Sequence, residues 1–532
     1  MNRVVALVAA ACVMSSALVV APSSGVAASG KSEKQYPEFT PDPLQWGECE
    51  AEQLVAAGAE CGFVSVPLDY YHPNGEKIRL AVSRMAHTSP DAASQGPMLV
   101  NPGGPGGAGL QYSIFGQFVP DGAGDTYDWI GFDPRGVGAS EPSLSCVPDF
   151  DGYDRPDYVP INHSIERAWL TRSKDYADAC EANAGPLLDH MTTVEAALDL
   201  ESVRKALGAE QLNYYGFSYG TYLGQVYATM FPDRLRRVIF DGNVDPTSVW
   251  YRSNLEQNVA FERAITVYFD WIARHDDVYH LGTTGGAVER RYYAEKARLS
   301  GNPAGGIIGP DELSDLFLQA GYYVYGWEDV AEAFAGWVSD RDWEPLRDLY
   351  GSPPFDDNGH AVYLAVVCTD APWTRSYPRY RMTNWVSHFR APFASWGNAW
   401  FNSPCLTWPG RSSRPTNVDG SGVDSALLIN ETLDAATPFT GALEVRDRFP
   451  NSVLIEGVGG TTHSGSLSGV ACTDDIIVEY LRSGTLPARG SARAADVRCD
   501  PVPQPEPQPA AQRTLDQDQS DQRAEFAATV PR

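Results

Sequence analysis

Short apolar runs alternate with stretches of helical periodicity over the first part of the chain, up to about residue 246. Apolar runs of strand length stand at residues 97–100, 129–133, 211–215 and 237–242. Between them, residues 196–207 and 221–230 repeat apolar positions at helical spacing. Alternation of this kind is typical of parallel βαβ units. The pattern therefore predicts the first part of an α/β core over residues 41–246.

The strand pattern is lost after residue 246. Tryptophan, tyrosine and helical periodicity dominate residues 247–415, which predicts a helical lid inserted into the core. Strand-like runs return at residues 426–430 and 453–456, and an amphipathic helix follows them. We therefore expect the second part of the core over residues 416–499.

The N-terminus has the composition of a targeting segment. Arg3 precedes an apolar stretch over residues 4–20, and small residues at 26–28 offer a cleavage site. This predicts a signal peptide over residues 1–28 and a secreted, extracellular protein. A membrane anchor is the alternative, but the stretch is short and lacks a stop-transfer cluster. No other segment of the sequence is apolar enough to span a bilayer. A lipoprotein with Cys12 as its lipidated residue is a further alternative, although the apolar run before Cys12 is short.

Residues 500–532 are rich in proline, glutamine and alanine, and we expect them to be disordered.

Composition and charge reduce the number of function classes that fit the chain. Hydrophobic residues make up 43% of the 532-residue chain, so a sizeable buried core is expected. The formal net charge is −28, and such a field repels nucleic-acid phosphates. We expect a monomer with no nucleic-acid and no membrane partner.

Removal of the signal peptide leaves eight cysteines, an even number that suggests four disulfides in a secreted chain. Spacing alone does not fix their connectivity. Pairing in sequence order closes modest loops and is our prediction: Cys49–Cys61, Cys146–Cys180, Cys368–Cys405 and Cys472–Cys499. There is no C-x-x-C motif and no cysteine–histidine spacing of the zinc type, so no metal site is expected.

The strongest chemical motif is Gly-Phe-Ser-Tyr-Gly at residues 216–220, which matches G-x-S-x-G. The motif alone is weak, since a glycine-rich turn with an incidental serine gives the same letters. Here a predicted strand precedes it and a predicted helix follows it, as in a nucleophile elbow. Ser218 is therefore the candidate nucleophile of an α/β-hydrolase fold.

A serine nucleophile needs a base and an acid that orients the base. In this fold they follow the serine in the order acid, then histidine, each in a loop after a strand. Asp434 follows the strand at 426–430, and His463 follows the strand at 453–456. Of nine histidines, His463 is the only one C-terminal to that acid. Glu431 is the rival acid, but it stands too close to the strand end.

Acyl transfer also needs donors for the oxyanion. We expect one to be the backbone N–H of Tyr219 and the other to come from Gly103 or Gly104 in the glycine-rich loop after an early strand. The sequence does not decide between those two glycines. A dinucleotide-binding loop is the alternative, but Pro105 breaks that fingerprint and no helix start follows directly. No cofactor is implied.

Taken together, these motifs resemble the secreted tripeptidyl aminopeptidases of actinomycetes, which belong with the proline iminopeptidases. The resemblance is carried by residues 61–70, 101–106, 131–138, 216–222, 368–371 and 434–438 and runs from about residue 46 to 499. It implies release of short peptides, often tripeptides, from the N-termini of peptides and proteins under a helical cap. Two features depart from the family: Ser464 stands where a glycine is usual, and the tail after Cys499 has no counterpart.

An aminopeptidase must also bind a cationic α-amino group, and burying that charge demands a carboxylate partner. Glu262 is the first candidate, because its stretch resembles the aromatic–Glu pair of the proline iminopeptidase cap, and Asp370 is the second. Two other functions stay open. A carboxylesterase would use the same catalytic machinery, and a non-catalytic binding protein could share the scaffold.

Overall fold

A ten-stranded sheet forms the centre of the part of the chain that the computed structural model describes, residues 36–507. The strands are β1 (Gly47–Glu48), β2 (Glu60–Pro67), β3 (Lys77–Met85), β4 (Pro97–Asn101), β5 (Asp128–Phe132), β6 (Leu212–Phe217), β7 (Leu235–Asp241), β8 (Ala426–Glu431), β9 (Ser452–Gly457) and β10 (Val497–Cys499). Their order in the sheet is β1-β2-β3-β5-β4-β6-β7-β8-β9-β10. Pairing is antiparallel from β1 to β5 and parallel from β5 to β10, which confirms the predicted mostly parallel sheet.

Fifteen α-helices lie in the same described residues. They are α1 (Glu52–Ala57), α2 (His163–Ala184), α3 (Thr193–Ala206), α4 (Tyr219–Met230), α5 (Tyr251–Arg274), α6 (Asp276–Tyr279), α7 (Gly285–Gly301), α8 (Pro310–Tyr322), α9 (Trp327–Asp340), α10 (Glu344–Tyr350), α11 (Asn358–Asp370), α12 (Tyr377–His388), α13 (Ser395–Asn402), α14 (Phe439–Arg448) and α15 (Ala471–Ser483). Helices α5 to α13 fall between β7 and β8, and residues 247–415 contain no strand of the sheet. None of the helices within residues 36–507 has the length and apolarity needed to cross a membrane.

The central strands are buried because helices and loops cover both faces of the sheet. Successive side chains of a strand point to opposite faces of the sheet, so each central strand contributes side chains to two apolar clusters, one on each face. Leu99 and Tyr214 belong to the cluster on one face, whereas Val100 and Tyr215 belong to the cluster on the other. The parallel strands end at one common edge, and chemistry is expected at that edge in an open α/β sheet.

The inserted helices pack in two groups. Helices α5 to α10 share an aromatic cluster of their own, built around side chains such as Trp271, Phe317 and Trp327. Helices α11 to α13 instead pack into the main core, to which they contribute Val367 and Trp400. The insertion therefore has a distal half with its own core and a proximal half that anchors it to the sheet.

Four disulfides join the cysteines of the described residues. They are Cys49–Cys61, Cys146–Cys180, Cys368–Cys405 and Cys472–Cys499, the same pairs that sequence order predicts. The last bridge ties the start of α15 to β10, the edge strand.

The chain after β10 differs from the prediction of disorder from residue 500 onward. Val502 is 5% exposed and packs with the distal group of inserted helices. Trp271 Nε1 donates a hydrogen bond to the carbonyl of Pro505 (2.9 Å). The prediction is therefore wrong for residues 500–507, because one apolar side chain and one indole donor hold this proline-rich run against the lid. The predicted signal peptide, residues 1–28, and the rest of the tail lie outside the described residues.

Candidate active site

Ser218 stands at the turn between β6 and α4. Its backbone has φ 54° and ψ −124°, a left-handed conformation that is costly for a residue with a side chain. The flanking glycines allow the turn to pack. A Cβ on Gly216 would lie 2.6 Å from the carbonyl oxygen of Gly220, and one on Gly220 would lie 2.5 Å from that of Asn101. The sequence thus builds a strained elbow that presents the serine at the edge of the sheet.

Asp434 and His463 form a buried pair in the loops after β8 and β9. His463 Nδ1 lies 2.9 Å from one carboxylate oxygen of Asp434 and 3.1 Å from the other. The same carboxylate accepts hydrogen bonds from the backbone N–H groups of Ala436 and Thr437 (2.9 Å each) and from the Thr437 hydroxyl (2.7 Å). These donors fix the carboxylate, which then holds the imidazole with Nδ1 protonated and Nε2 facing away.

Ser218 and His463 both lie against the end of β7. The backbone N–H of Ser218 donates to the carbonyl of Asp241 (3.0 Å), and a Cβ on the next residue, Gly242, would lie 2.8 Å from His463 Cε1. His463 Nε2 is buried and has no hydrogen-bond partner among the described residues, Ser218 included. Catalytic hydrogen bonds are often long without substrate and tighten in the complex. The imidazole thus lies at the same strand end as the serine, and its proton-accepting nitrogen has no partner among the described residues.

The glycine-rich loop after β4 touches the elbow directly. A Cβ on Gly103 would lie 2.8 Å from the Cβ of Ser218 and 3.0 Å from the backbone N of Tyr219. Gly103 and Gly104 both have φ near 100°, where side chains are disfavoured. The N–H of Gly103 is already donated to the side-chain oxygen of Asn101 (3.1 Å). The two candidate glycines therefore differ, because one N–H is engaged within the loop.

Two buried carboxylates support the site and were not assigned to it from the sequence. Asp241 accepts a hydrogen bond from the backbone N–H of Ser466 (2.8 Å), and burial raises its pKa to about 6. Glu431, considered only as a rival acid, accepts from the backbone N–H of Thr462 (2.5 Å) and of Val502 (2.6 Å). Burial raises the pKa of Glu431 to about 8. Both carboxylates brace the loop that carries His463, and their positions at strand ends were the signal in the sequence.

The two predicted amine-binding carboxylates both accept hydrogen bonds from other parts of the fold, and their role in binding the amine stays a prediction. Glu262 lies on α5 and accepts a hydrogen bond from the backbone N–H of Phe393 (3.0 Å). Asp370 is buried at the end of α11, where it accepts from the N–H and hydroxyl of Thr193 and from the Trp250 indole (3.2 Å). Thr193 connects Asp370 to Tyr219, because its hydroxyl lies 2.8 Å from the Tyr219 hydroxyl. Neither carboxylate lines the cavity described next. Because the donors to Glu262 and Asp370 come from other segments of the chain, each carboxylate connects two parts of the fold.

A cavity of about 510 Å³ lies between the inserted helices and the segment that holds residues 151–158. It is lined by Asp151, Arg155, Tyr158, Asp315, Leu318, Gln319, Tyr322, Tyr323, Tyr350, Gly351, Ser352, Phe355, Asp356, Gly359, His360 and Phe401. The Tyr322 and Tyr323 rings lie 5.9 and 6.2 Å from the His463 ring, and the N–H of His463 donates to the Tyr322 carbonyl (2.8 Å). Gly359 packs against Gly106 of the glycine-rich loop. One end of the cavity therefore adjoins both the base and the loop beside the nucleophile.

One group of side chains in the described residues has the geometry for a metal ion. The ligand atoms of Asp69, His190 and Glu195 lie within 4.8 Å of one another. His190 Nδ1 already pairs with Glu195 (2.6 Å), and Asp69 pairs with His72 (2.6 Å). Ion pairing between these residues accounts for the cluster, and it carries no assignment as a metal centre.

A mostly parallel sheet, a serine at a strained strand-to-helix elbow and a buried Asp–His pair after later strands together define a serine-type α/β hydrolase. Comparison with known proteins agrees. A family model described as alpha/beta hydrolase fold matches residues 96–304, and one described as TAP-like protein matches residues 391–493.

Individual relatives narrow the class further. The tripeptidyl aminopeptidase of Streptomyces lividans is 40% identical over 480 residues, which covers 87% of this chain and 88% of that protein. The serine protease Hip1 of Mycobacterium tuberculosis is 29% identical over 84% of this chain and 90% of its own length. Carboxylesterase B of the same species is 30% identical over 86% and 90%. The chain belongs to the tripeptidyl aminopeptidase family of α/β hydrolases, which confirms the resemblance drawn from the motifs.

Proposed function

We propose that the protein is a secreted tripeptidyl aminopeptidase, which releases tripeptides from the free N-termini of peptides and proteins. The observation that carries the proposal is that a strained serine and a buried Asp–His pair share one edge of the sheet, where a cavity lined by Tyr322 and Tyr323 adjoins the histidine. The family membership supplies the substrate class, because the relative with 40% identity is a tripeptidyl aminopeptidase.

The proposed chemistry proceeds through an acyl-enzyme. Ser218 Oγ attacks the carbonyl carbon after the third residue of the substrate, and His463 Nε2 takes the hydroxyl proton. Asp434 stabilises the resulting imidazolium and keeps its tautomer fixed. His463 then returns the proton to the leaving amine as the peptide bond breaks, which leaves the tripeptide esterified to Ser218. Water, deprotonated by the same imidazole, hydrolyses that ester.

The oxyanion is stabilised by two backbone N–H groups in this proposal. Tyr219 supplies the first, since it is the first residue of α4 and has no helical acceptor for its N–H. We assign the second to Gly104. The N–H of Gly103 already donates to Asn101 within the protein, and that engagement favours its neighbour.

Secretion and a monomeric state belong to the proposal as well. Four disulfides within residues 36–507 fit an oxidising compartment, where such bonds form and persist. The signal-peptide pattern of residues 1–28 points the same way. Cell fractionation and size-exclusion chromatography with light scattering would test the two statements separately.

A carboxylesterase is the second candidate function, and the relation to carboxylesterase B favours it. The same serine, base and oxyanion donors hydrolyse esters, so the machinery does not separate the two activities. The need for a free amine does separate them, since an esterase has no use for a substrate cation.

A panel of chromogenic substrates decides between the candidates. We would compare kcat/KM for mono-, di-, tri- and tetraalanine p-nitroanilides, each with a free and an acetylated N-terminus. The proposal expects the free tripeptide to be cleaved best and acetylation to lower its kcat/KM at least about tenfold. Equal cleavage of free and acetylated tripeptides would refute the aminopeptidase and leave the esterase.

A further inference from the structure

The cavity has an acidic end away from the triad. Three of its lining carboxylates, Asp151, Asp315 and Asp356, face two lining cationic side chains, Arg155 and His360. The guanidinium of Arg155 is shared between two carboxylates and balances the charge of only one of them. Its Nη2 donates to Asp315 (2.8 Å) and to a further buried carboxylate, that of Glu312 (3.1 Å). The cavity therefore keeps a net negative charge that suits a cationic group.

Asp151 and Asp315 both lie near Tyr350, another residue of the cavity lining. The hydroxyl of Tyr350 donates to the backbone carbonyl of Asp151 (2.7 Å) and lies 3.5 Å from the carboxylate of Asp315. The Asp151 side chain is 44% exposed and that of Asp315 is 21% exposed, although both line the cavity. Both residues therefore line the cavity with partly exposed side chains, although the Asp315 carboxylate also accepts hydrogen bonds from Arg155 and Tyr158.

Asp151 is ionised at neutral pH. His360 Nε2 donates to the carbonyl of Phe401 (3.1 Å), and His360 Nδ1 faces Asp151 at 3.1 Å. Burial alone would raise the pKa of Asp151, but the His360 imidazolium holds that pKa below its ordinary value. The carboxylate is therefore available as an anion for a second cation that enters from the cavity.

Helix α8 connects this acidic end to the catalytic end. Asp315, Leu318, Gln319 and Tyr322 all line the cavity, and their spacing places them on one face of the helix. Tyr322 contacts His463, whereas Asp315 stands seven positions earlier, or about 10 Å along the helix axis. Three extended residues also span about 10 Å. A chain whose third carbonyl lies at Ser218 would reach the acidic end with its N-terminus.

We propose that the carboxylates of Asp151 and Asp315 bind the free α-ammonium group of the substrate, and that the α8 face from Asp315 to Tyr322 sets the released length at three residues. This inference rests on the proposed aminopeptidase function and adds the residues that recognise the amine. Tyr158 and Arg155 act as positioning residues, because their donors hold the Asp315 carboxylate toward the cavity.

The test uses Asp151→Asn, with Asp315→Asn as a second variant. Each is assayed with free and acetylated trialanine p-nitroanilide and with p-nitrophenyl acetate, a small neutral ester. Asp151→Asn should raise KM for the free tripeptide about tenfold or more, because a charge-assisted hydrogen bond is lost. Its turnover of the ester should match the wild type. Acetylated and free substrates should also become more alike.

Glu262→Gln is the matched control, since it makes the same carboxylate-to-amide change on a lid helix at a residue that does not line the cavity. It should keep the wild-type KM. Asp315→Asn is included because Asp315 also pairs with Arg155; if that variant loses ester turnover, the result for Asp151→Asn decides.

The outcomes separate the two levels of the argument. Wild-type enzyme that cleaves acetylated and free tripeptides equally would refute the proposed function itself. Wild-type enzyme that needs a free amine, combined with an unchanged KM in Asp151→Asn, would refute the amine site alone. A raised KM in Glu262→Gln would move the site to the distal lid.

Discussion

At the residue scale, existing hydrogen bonds decide which groups remain available for chemistry. His463 uses Nδ1 on Asp434 and keeps Nε2 without a partner among the described residues. The N–H of Gly103 donates to the side chain of Asn101. The sequence could not show this hydrogen bond, because it depends on the conformation of one loop. The order of the motifs was enough to predict Ser218 as the nucleophile, but it did not show which nearby groups already form hydrogen bonds within the protein.

Replacing the candidate nucleophile tests this scale directly. Ser218→Ala should abolish peptide turnover while the fold is kept, since the hydroxyl is needed only for the covalent step. About 10³-fold catalysis over water could survive from the oxyanion donors. His463→Ala should lose a similar amount, and the double variant should be little worse, because the two side chains act as a unit.

These variants are measured by steady-state kinetics, with circular dichroism to check the fold. Ser483→Ala, on the exposed end of α15, serves as a control that should keep wild-type kinetics. Near-wild-type activity in Ser218→Ala would show that the elbow serine is not the nucleophile.

At the element scale, the loop that carries His463 is braced from several directions. Glu431 at the end of β8 accepts from Thr462, next to the base, and from Val502 in the segment after β10. The lid adds a third contact, because the carbonyl of Tyr322 at the end of α8 accepts from the N–H of His463. The base is therefore positioned jointly by the sheet, the lid and the segment beyond the sheet.

This brace makes the stability of the protein depend on pH. Burial raises the pKa of Glu431 from its ordinary 4.5 to about 8, so the folded state favours the protonated acid. The contribution is fully present below about pH 4.5 and is lost as the pH rises through about 8. Between pH 6 and 9 the free energy of unfolding should fall by about 2–3 kcal/mol.

Denaturant unfolding at several pH values measures this slope. Glu431→Gln stays neutral and should flatten it, whatever constant loss the amide causes. Glu48→Gln, an exposed substitution on β1, should keep the wild-type slope. Identical slopes in wild type and Glu431→Gln would rule out this carboxyl as the source.

Element order was predictable, but element facing was not. Apolar periodicity and the G-x-S-x-G context indicated the sheet and the lid. Periodicity on an aromatic-rich helix does not show which of several neighbours each side chain meets, so it could not show that Glu262 accepts a hydrogen bond from the N–H of Phe393. Asp151 and Asp315 come from segments far apart in the chain and line one cavity, and no local sequence pattern predicts that arrangement.

At the scale of the whole molecule, each disulfide joins residues that are close in the chain and lies within one part of the fold. Each closes a short loop, with sequence separations of 12, 34, 37 and 27 residues in chain order. Cys368–Cys405 lies within the proximal group of inserted helices, and Cys472–Cys499 fastens the edge strand. All four therefore stiffen existing units and leave the cavity between them free of cross-links.

Reduction should lower stability and activity together. Each bridge should contribute about 2–4 kcal/mol, as is usual for loops of this length. Loss of Cys472–Cys499 should also loosen the segment that reaches Glu431 through Val502. Non-reducing peptide mapping combined with thermal melts in the presence and absence of reductant checks this. Free thiols, or a bridge between the distal lid and the sheet, would contradict the pairing.

The central claim is that Ser218 attacks the third carbonyl of a peptide with a free N-terminus, and covalent trapping tests it in one measurement. Trialanine diphenyl phosphonate, in which phosphorus replaces the scissile carbonyl, should lose phenol and leave a stable phosphonate ester on the attacking oxygen. Tryptic mapping by mass spectrometry should find a single adduct, on the peptide that contains Ser218, and N-acetylation of the probe should slow labelling at least about tenfold. An adduct on a different residue, no adduct, or equal labelling by the acetylated probe would contradict the account.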